Sequence, residues 1–205
     1  MEEKEYQELI VPYRECLKNM ANRLDILAGD YLERYGEEPI HHIQKRIKTK
    51  SSIEGKLKKK DCDDTAEEAR YHLRDIAGIR VICYEMRGIE MLAEALKRQN
   101  DLEIVKEKDY ISHPKSNGYR SYHLVIGVPI YLVDRKEYYP VEIQFRTMAM
   151  DLWASLEHRS CYKKDERERR EWSDRFLQYA FFLEEMERSI EQYGEKREER
   201  ERKEG

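Results

Sequence analysis

The sequence predicts an α/β (α+β) fold: a mixed β-sheet flanked by helices, with a long helix at either end. Three observations predict it. Apolar residues recur at helical spacing near both termini. Between them lie four runs rich in β-branched and aromatic residues. One helical crossover and one hairpin connect those runs, so parallel and antiparallel neighbours share one sheet.

The elements follow in order. Tyr13, Leu17, Met20, Leu24, Leu27, Tyr31 and Tyr35 mark an amphipathic helix over about 12–35. Pro12 suits its first turn, with room for a short helical piece before it, and Gly36 and Pro39 end it. Ile40 to Lys48 reads as an extended or irregular lead-in. Ser51-x-x-Glu54 is a capping-box pattern that opens a short helix to about Lys60. A polar, Asp-rich link from Asp61 leads to a helix over about 65–74. Ile79–Tyr84 is a buried strand, and Gly88–Gln99 is the crossover helix. Leu102–Ile111, Tyr122–Pro129 and Tyr138–Phe145 are the remaining strands, with a turn over about 131–137 between the last two. A helix runs from Thr147 to about Lys163, and Asp165 can cap the last one. There Trp172, Phe176, Tyr179, Leu183, Met186, Ile190 and Tyr193 form a heptad-like stripe. The tail over about 195–205 is nearly all charge, which predicts a frayed or disordered end. The chain reads as a single domain, with a core over about 40–163 and helical extensions over about 1–38 and 165–205.

Composition narrows the function. Charged residues and hydrophobic residues each make up 40% of the 205 residues, so the chain has both a core and a crowded ionic surface. The net charge of −4 excludes a general polyanion binder, so any phosphate site arises from local clustering. No run of about 18 apolar residues is available to cross a membrane, and the polar start, Met1 to Glu8, is not a signal peptide. Cys16, Cys62, Cys83 and Cys161 are scattered without a C-x-x-C pair and read as reduced thiols of a cytoplasmic protein. His41, His42, His72 and His158 show no compact metal-ligand spacing and no convincing cysteine partner.

Local clustering is strong between Lys45 and Lys60. Eight basic residues (Lys45, Arg46, Lys48, Lys50, Lys56, Lys58, Lys59, Lys60) face one acid, Glu54, a local charge of +7. Arg46 and Lys48 share a face in an extended segment. Ser52 sits at a helix N-terminus and Lys56 one turn later. The cluster admits three readings: a solvated surface helix, a phosphate site or an RNA contact. Asp75 lies just before the strand that carries Arg80. In the strand ending Val141-Glu142-Ile143-Gln144-Phe145-Arg146, the apolar residues face the core and Glu142, Gln144 and Arg146 face away together. Two carboxylates on separate strands can hold Mg²⁺, and either alone can be a surface ion-pair partner. Pro114 to Ser121 is a turn centred on Asn117-Gly118. In it Lys115 and Arg120 can meet phosphate, and Tyr119 offers a flat face to a base.

Together these segments resemble the synthetase domain of the RelA/SpoT family, closest to the stand-alone small alarmone synthetases. The motifs that carry the resemblance are Arg46-x-Lys48 with Ser52-Ile53-x-x-Lys56-Leu57; Asp75-Ile-Ala-Gly-Ile-Arg80; Lys106-x-Lys108-Asp109-Tyr110-Ile111; Pro114-Lys115-x-Asn117-Gly118-Tyr119-Arg120-Ser121; Val141-Glu142-Ile143-Gln144; and Arg146-Thr147-Met148-Ala149-Met150-Asp151 running on to Trp153 and Glu157-His158. They occur in one order over about 40–163.

The resemblance implies a nucleotidyltransferase-like fold and transfer of pyrophosphate from ATP to the ribose 3′-OH of GDP or GTP. It implies that Arg46 and Arg80 sandwich adenine, and that Lys48, Ser52, Lys56 and Lys59 meet ATP phosphates. It implies Mg²⁺ on Asp75, with Glu142 at the metal or taking the 3′-OH proton. Tyr119 would stack on guanine, with Lys108, Lys115, Asn117, His123 and Gln144 around the guanosine substrate. No His-Asp dipeptide occurs, so synthesis without hydrolysis is expected. A cytoplasmic homotetramer is expected from the same resemblance, with no membrane and with RNA not the main partner. In product-stimulated small synthetases a Phe and a Gly recur just before Arg-x-Lys. Here that stretch is Ile40-His41-His42-Ile43-Gln44-Lys45, and Asp151 rather than Asn follows Met150. The resemblance is therefore to the subgroup without that stimulation. Two alternatives remain: related synthetases use adenine nucleotides or the tRNA 3′ end as acceptor, and a non-catalytic RNA-binding module could use the basic cluster. The Lys108/Lys115 pair and Tyr119 favour guanosine, and Asp75 and Glu142 have no purpose in RNA binding.

Overall fold

The computed structural model describes residues 1–161 and 166–204. The element order is α1 (Glu3–Tyr35), β1 (Ile40–Ile47), α2 (Lys50–Lys58), α3 (Ala66–His72), β2 (Ala77–Cys83), α4 (Met86–Lys97), β3 (Glu103–Asp109), β4 (Tyr122–Tyr131), β5 (Lys136–Thr147), α5 (Met148–Cys161) and α6 (Glu166–Glu204). The five strands form one sheet in the order β1-β2-β5-β4-β3. β2 and β5 pair in parallel, and every other neighbour is antiparallel. The mixed, helix-flanked sheet agrees with the sequence.

The core lies on the face covered by α1 and α4. Ile79, Val81, Leu124, Ile126, Val141, Ile143 and Phe145 pack there against Tyr13, Met20 and Leu24 of α1 and Ile89, Leu92 and Leu96 of α4. Full burial of each such side chain stabilises the fold by roughly 1.5–3 kcal/mol. Most of the α1 stripe is thus spent within the chain, with Tyr35 left exposed. A second cluster joins Trp153 of α5 to Phe176 and Ala180 of α6, where the Trp153 indole N–H donates to the Phe176 carbonyl at 2.7 Å.

Four expectations change. The first helix begins at Glu3, so Pro12 sits inside it rather than in its first turn. A proline there removes one backbone hydrogen bond and costs about 3 kcal/mol. Tertiary contacts around it offset the cost: Ile10 and Tyr13 on either side are buried. The Tyr6 hydroxyl donates to the Lys48 carbonyl at 3.1 Å, and the Ala66 amide donates to the Glu5 carboxylate at 2.6 Å. Second, Ile40–Ile47 is a full edge strand paired with β2, not a lead-in. Its exposed His41, His42, Gln44, Lys45 and Arg46 hide the strand signal and suit an edge that must not aggregate. Third, Thr49 caps α2, accepting from the Ser52 amide at 3.3 Å, so the Ser51/Glu54 capping box is not used. Fourth, helix α6 continues through the charged tail to Glu204. The expected cap at Asp165 and the end of α5 near Lys163 lie outside the described residues.

Gly118 shows how the turn before β4 is fastened to α6. Its φ is 90°, a left-handed conformation, and a Cβ there would meet the Ala180 Cβ at 2.6 Å. Gly118→Ala therefore loses about 1–3 kcal/mol of stability in chemical denaturation. Gly55→Ala in α2, where a Cβ meets nothing within 4 Å, gains up to about 1 kcal/mol. Equal effects at both positions would refute the packing argument.

Candidate active site

Strand β5 sets the site. Val141, Ile143 and Phe145 are locked into the core, so strand alternation turns Glu142, Gln144 and Arg146 to the opposite face. Register extends that face across the sheet. Gln44, Arg80, Gln144, His123 and Lys108 stand in one cross-strand row over all five strands. One pleat along the sheet, Arg46, Gly78 and Glu142 form the next row. Gln44, Arg46, Gly78, Arg80, Glu142 and Gln144 line a cavity of ≈ 120 Å³. Arg46 lies across β2 at Gly78, where a Cβ would be in ordinary van der Waals contact with the Arg46 Nε at 3.5 Å.

The polar side chains of this face form a directed network. The Arg146 guanidinium donates to the Tyr119 hydroxyl at 2.9 Å and to the Gln144 carbonyl oxygen at 3.3 Å. The Tyr119 hydroxyl lies 2.9 Å from the His123 Nε2, and the His123 Nδ1 faces the Glu142 Oε1 at 3.4 Å. The Gln144 amide donates to the Glu142 Oε2 at 3.0 Å. Arginine only donates and a carboxylate only accepts. The Tyr119 hydroxyl therefore accepts from Arg146, and Glu142 accepts from Gln144. Both branches then end on Glu142. Burial pushes the Glu142 carboxyl up, and His123 and Gln144 pull it below its ordinary value, with the Asp75 charge opposing them. Glu142 is therefore an ionised base at neutral pH.

Asp75 adjoins the basic segment. Its Oδ2 accepts from Lys48 at 2.8 Å and also from Lys56. Burial would raise the Asp75 pKa, but the two ammonium groups hold it below the ordinary carboxylate value. Lys48 shifts in the direction set by burial, downward, despite the same ion pair. The difference is one of numbers: one carboxylate faces two cations. Lys48 follows β1, Lys56 comes from α2, and the Lys48 amide donates to the Ile76 carbonyl at 2.8 Å, which ties the two segments together. Ser52 lies one turn before Lys56, exposed, with its amide and hydroxyl on Thr49. Lys59, also exposed, is the C-cap of α2.

The Lys115–Ser121 turn forms the opposite wall. Lys115 stands over the rings of both Tyr110 and Tyr119, 5.0 and 4.7 Å from their centroids, and Lys108 is 5.7 Å from Tyr110. Tyr119 also packs against Trp153. Asn117 has a local role: its side-chain oxygen accepts the Tyr119 amide at 3.2 Å and shapes the turn. Arg120, read from the sequence as able to meet phosphate, turns instead to Glu184 and Glu187 of α6 at 3.8 and 3.6 Å. Away from the site, Cys62, Glu68 and His72 bring their ligand atoms within 4.8 Å of one another beside α3. The sequence reading, which paired no cysteine with the histidines, misses that grouping because the α2–α3 link folds back.

Three residues join the site that sequence reasoning left out of it. Arg146 is buried at the centre of the network, and the alternation of β5 already pairs it with Glu142 and Gln144. Asp151 accepts from Arg146 at 3.0 Å and faces Arg80 at 3.3 Å, a contact made by the first turn of α5. Tyr110 stands in the Lys106–Ile111 motif but becomes part of the wall only through its ring contacts.

Because the Asp75 pKa is lowered, the ionised form favours the fold. Its contribution is complete above the ordinary value of 3.8 and is lost as pH falls through the lower native value. The stability gap between wild type and Asp75→Asn in chemical denaturation is therefore flat from neutral pH to about 5 and closes only below 3.8. A gap that closes near pH 6 would assign the effect to another group.

Comparison with known proteins fits this geometry. Residues 45–167 match the model described as the region found in RelA / SpoT proteins. The chain is 46% identical over 156 residues to the GTP pyrophosphokinase YwaC of Bacillus subtilis, covering 76% of this chain and 74% of that one. It is 34% identical over 163 residues to the GTP pyrophosphokinase YjbM of the same organism, covering 80% and 76%. The fold is similar to small alarmone synthetase 1 of Bacillus subtilis bound to its product pppGpp, with a TM-score of 0.83, 29% identity and 95% and 98% of the two chains covered. It is similar also to small alarmone synthetase 2 of that organism, with a TM-score of 0.79, 38% identity and coverage of 92% and 98%. On matched length, identity and fold, the chain belongs to the RelA/SpoT family.

Proposed function

We propose that this protein is a GTP/GDP pyrophosphokinase that moves the β,γ-pyrophosphate of ATP to the ribose 3′-OH of GDP or GTP, with release of AMP and without hydrolysis of the product. The observation that carries the reading is the placement of Glu142 at the end of a directed hydrogen-bond network, on a sheet face between a lysine-rich wall and a tyrosine-lined wall. The similarity to two GTP pyrophosphokinases supports it.

On this reading Arg46 and Arg80 hold adenine between their guanidinium planes. Lys48, Ser52, Lys56 and Lys59 receive the ATP phosphates. Tyr119, with Tyr110 beside it, stacks on guanine, while Lys108 and Lys115 neutralise the acceptor phosphates and His123 helps to hold them. Asn117 shapes the turn and Gln144 orients Glu142. The oxygen-only pair Asp75 and Glu142, both favoured as carboxylates, fits Mg²⁺, and these two residues would hold it. When bound, Mg²⁺ supplies neutralisation of phosphate charge. The lysines keep the two anionic nucleotides adjacent against their repulsion, which is most of what phosphoryl-type transfer asks of a protein. Glu142 accepts the 3′-OH proton as the 3′-oxygen bonds to the β-phosphorus of ATP and the bond from that phosphorus to the AMP oxygen breaks.

The protein further reads as a cytoplasmic homotetramer. Supporting this, Tyr179, Phe181, Phe182, Met186, Ile190 and Tyr193 leave an exposed apolar surface on α6. No helix among the described residues is long and apolar enough to cross a membrane.

Purified protein with Mg²⁺ and γ-labelled ATP is expected to label GDP or GTP, and Glu142→Gln to lower that transfer by about 10²–10⁴-fold while ATP still binds. Label on tRNA alone would overturn the acceptor assignment, and undiminished turnover by the variant would remove Glu142 from the chemistry. Tyr119→Ala should raise the KM for the guanosine substrate by about tenfold or more, corresponding to the loss of one stacked base, with a smaller change for ATP. An unchanged guanosine KM would refute the stacking role.

A further inference from the structure

The ATP side and the acceptor side of the cavity are joined by a single carboxylate. Asp151 Oδ1 faces the Arg80 guanidinium at 3.3 Å and accepts from the Arg146 guanidinium at 3.0 Å. Arg146 in turn holds the Tyr119 hydroxyl at 2.9 Å. The path Arg80–Asp151–Arg146–Tyr119 thus runs from the residue read as an adenine wall to the residue read as a guanine wall. Two facts make Asp151 the pivot. The guanidinium groups of Arg80 and Arg146 repel each other, and Asp151 is the carboxylate within ion-pair distance of both. Both also bury an Nε–H without a partner, so neither is anchored fully by the protein. Asp151 is itself fixed to the start of α5, where the Thr147 hydroxyl accepts the Met150 amide at 3.3 Å.

We propose that Asp151 is a positioning residue that couples the two substrate sites, so that either nucleotide, by ordering its own arginine or tyrosine, prepares the site for the other. The proposal rests on the reading of Arg80 and Tyr119 as nucleotide walls. The physical reason is shared ordering. A nucleotide that immobilises Arg80 fixes Asp151 and, through it, Arg146 and Tyr119. The second nucleotide then meets a wall whose ordering cost is already met, which makes binding cooperative without a change of fold. Linkage requires the effect to be reciprocal.

The test is calorimetric titration of GDP and of a non-hydrolysable ATP analogue, each alone and each with the other saturating. The wild-type protein should bind each nucleotide about fivefold or more tightly in the presence of the other, by the same factor in both directions. In Asp151→Asn, which keeps the side-chain shape and removes the charge, that factor should fall to about one, a loss of linkage beyond any change in single-nucleotide affinity. Asp151→Glu, which restores the charge, should recover part of it. Arg80→Lys, which keeps the charge but loses the planar fork, should weaken the linkage with Asp151 present, so the result does not depend on one variant folding. Independent sites in the wild type, or full linkage in Asp151→Asn, would overturn the proposal. Failure of the wild type to bind either nucleotide would instead refute the reading of the walls.

Discussion

The register of β5 is the constraint on which the rest of the structure depends. Side chains on a strand alternate, so a slip of one residue would turn Glu142, Gln144 and Arg146 into the apolar core and Val141, Ile143 and Phe145 onto the polar face. The core forbids it, because all three apolar residues have no solvent exposure. Parallel pairing to β2 then brings Gly78 beside Glu142 and Arg80 beside Gln144, and β4 brings His123 to the other side of Gln144. The sheet thereby turns an apolar packing preference into a row of chemically useful groups. No group in this row needs its own loop to hold it.

Electrostatics complete what register begins. In a chain of net charge −4, the basic segment keeps its local excess by leaning two lysines on Asp75. On the proposed reading Lys48 and Lys56 would meet ATP phosphates, and Asp75 would be among the residues that hold Mg²⁺. A half-buried pair is well suited to that exchange. Breaking such a pair without replacement is costly, so each ion parts only as a partner of opposite charge arrives. Glu142 differs. Its partners, His123 and Gln144, stand at paired positions on β4 and β5 and hold its charge in place.

Much of this was legible in the sequence, for identifiable reasons. The apolar residues of β5 and β2 fixed their faces, and with them the positions of Glu142, Gln144 and Arg80. Asp75 and Lys56 come together as the ordered motifs implied. Three features were hidden. β1 has the composition of a solvated segment, because an edge strand facing a polar cavity needs little apolar surface. Pro12 reads as a helix start by local chemistry, and only contacts from Lys48 and Ala66, distant in sequence, extend α1 past it. Arg120 sits in a turn that looks made for phosphate, yet the acids that claim it lie more than sixty residues away on α6. Local pattern reports which face a side chain takes; it does not report which distant charge reaches it first.

The two walls of the cavity are built to different standards of rigidity. Glu142, Gln144 and His123 stand on central strands whose backbone groups are paired on both sides. Tyr119 stands on a turn whose support is a helix: Gly118 lies against Ala180, Arg120 reaches Glu184 and Glu187, and Trp153 bridges Tyr119 to Phe176. Proton transfer tolerates little error in distance, whereas stacking on a base tolerates much, because a ring face is broad and the contact is non-directional along it. On the proposed reading, a strand paired on both sides carries the proton acceptor and a helix-backed turn carries base recognition. A change of acceptor base would then be accommodated by altering the turn and its α6 support, with the sheet-borne chemistry left as it is.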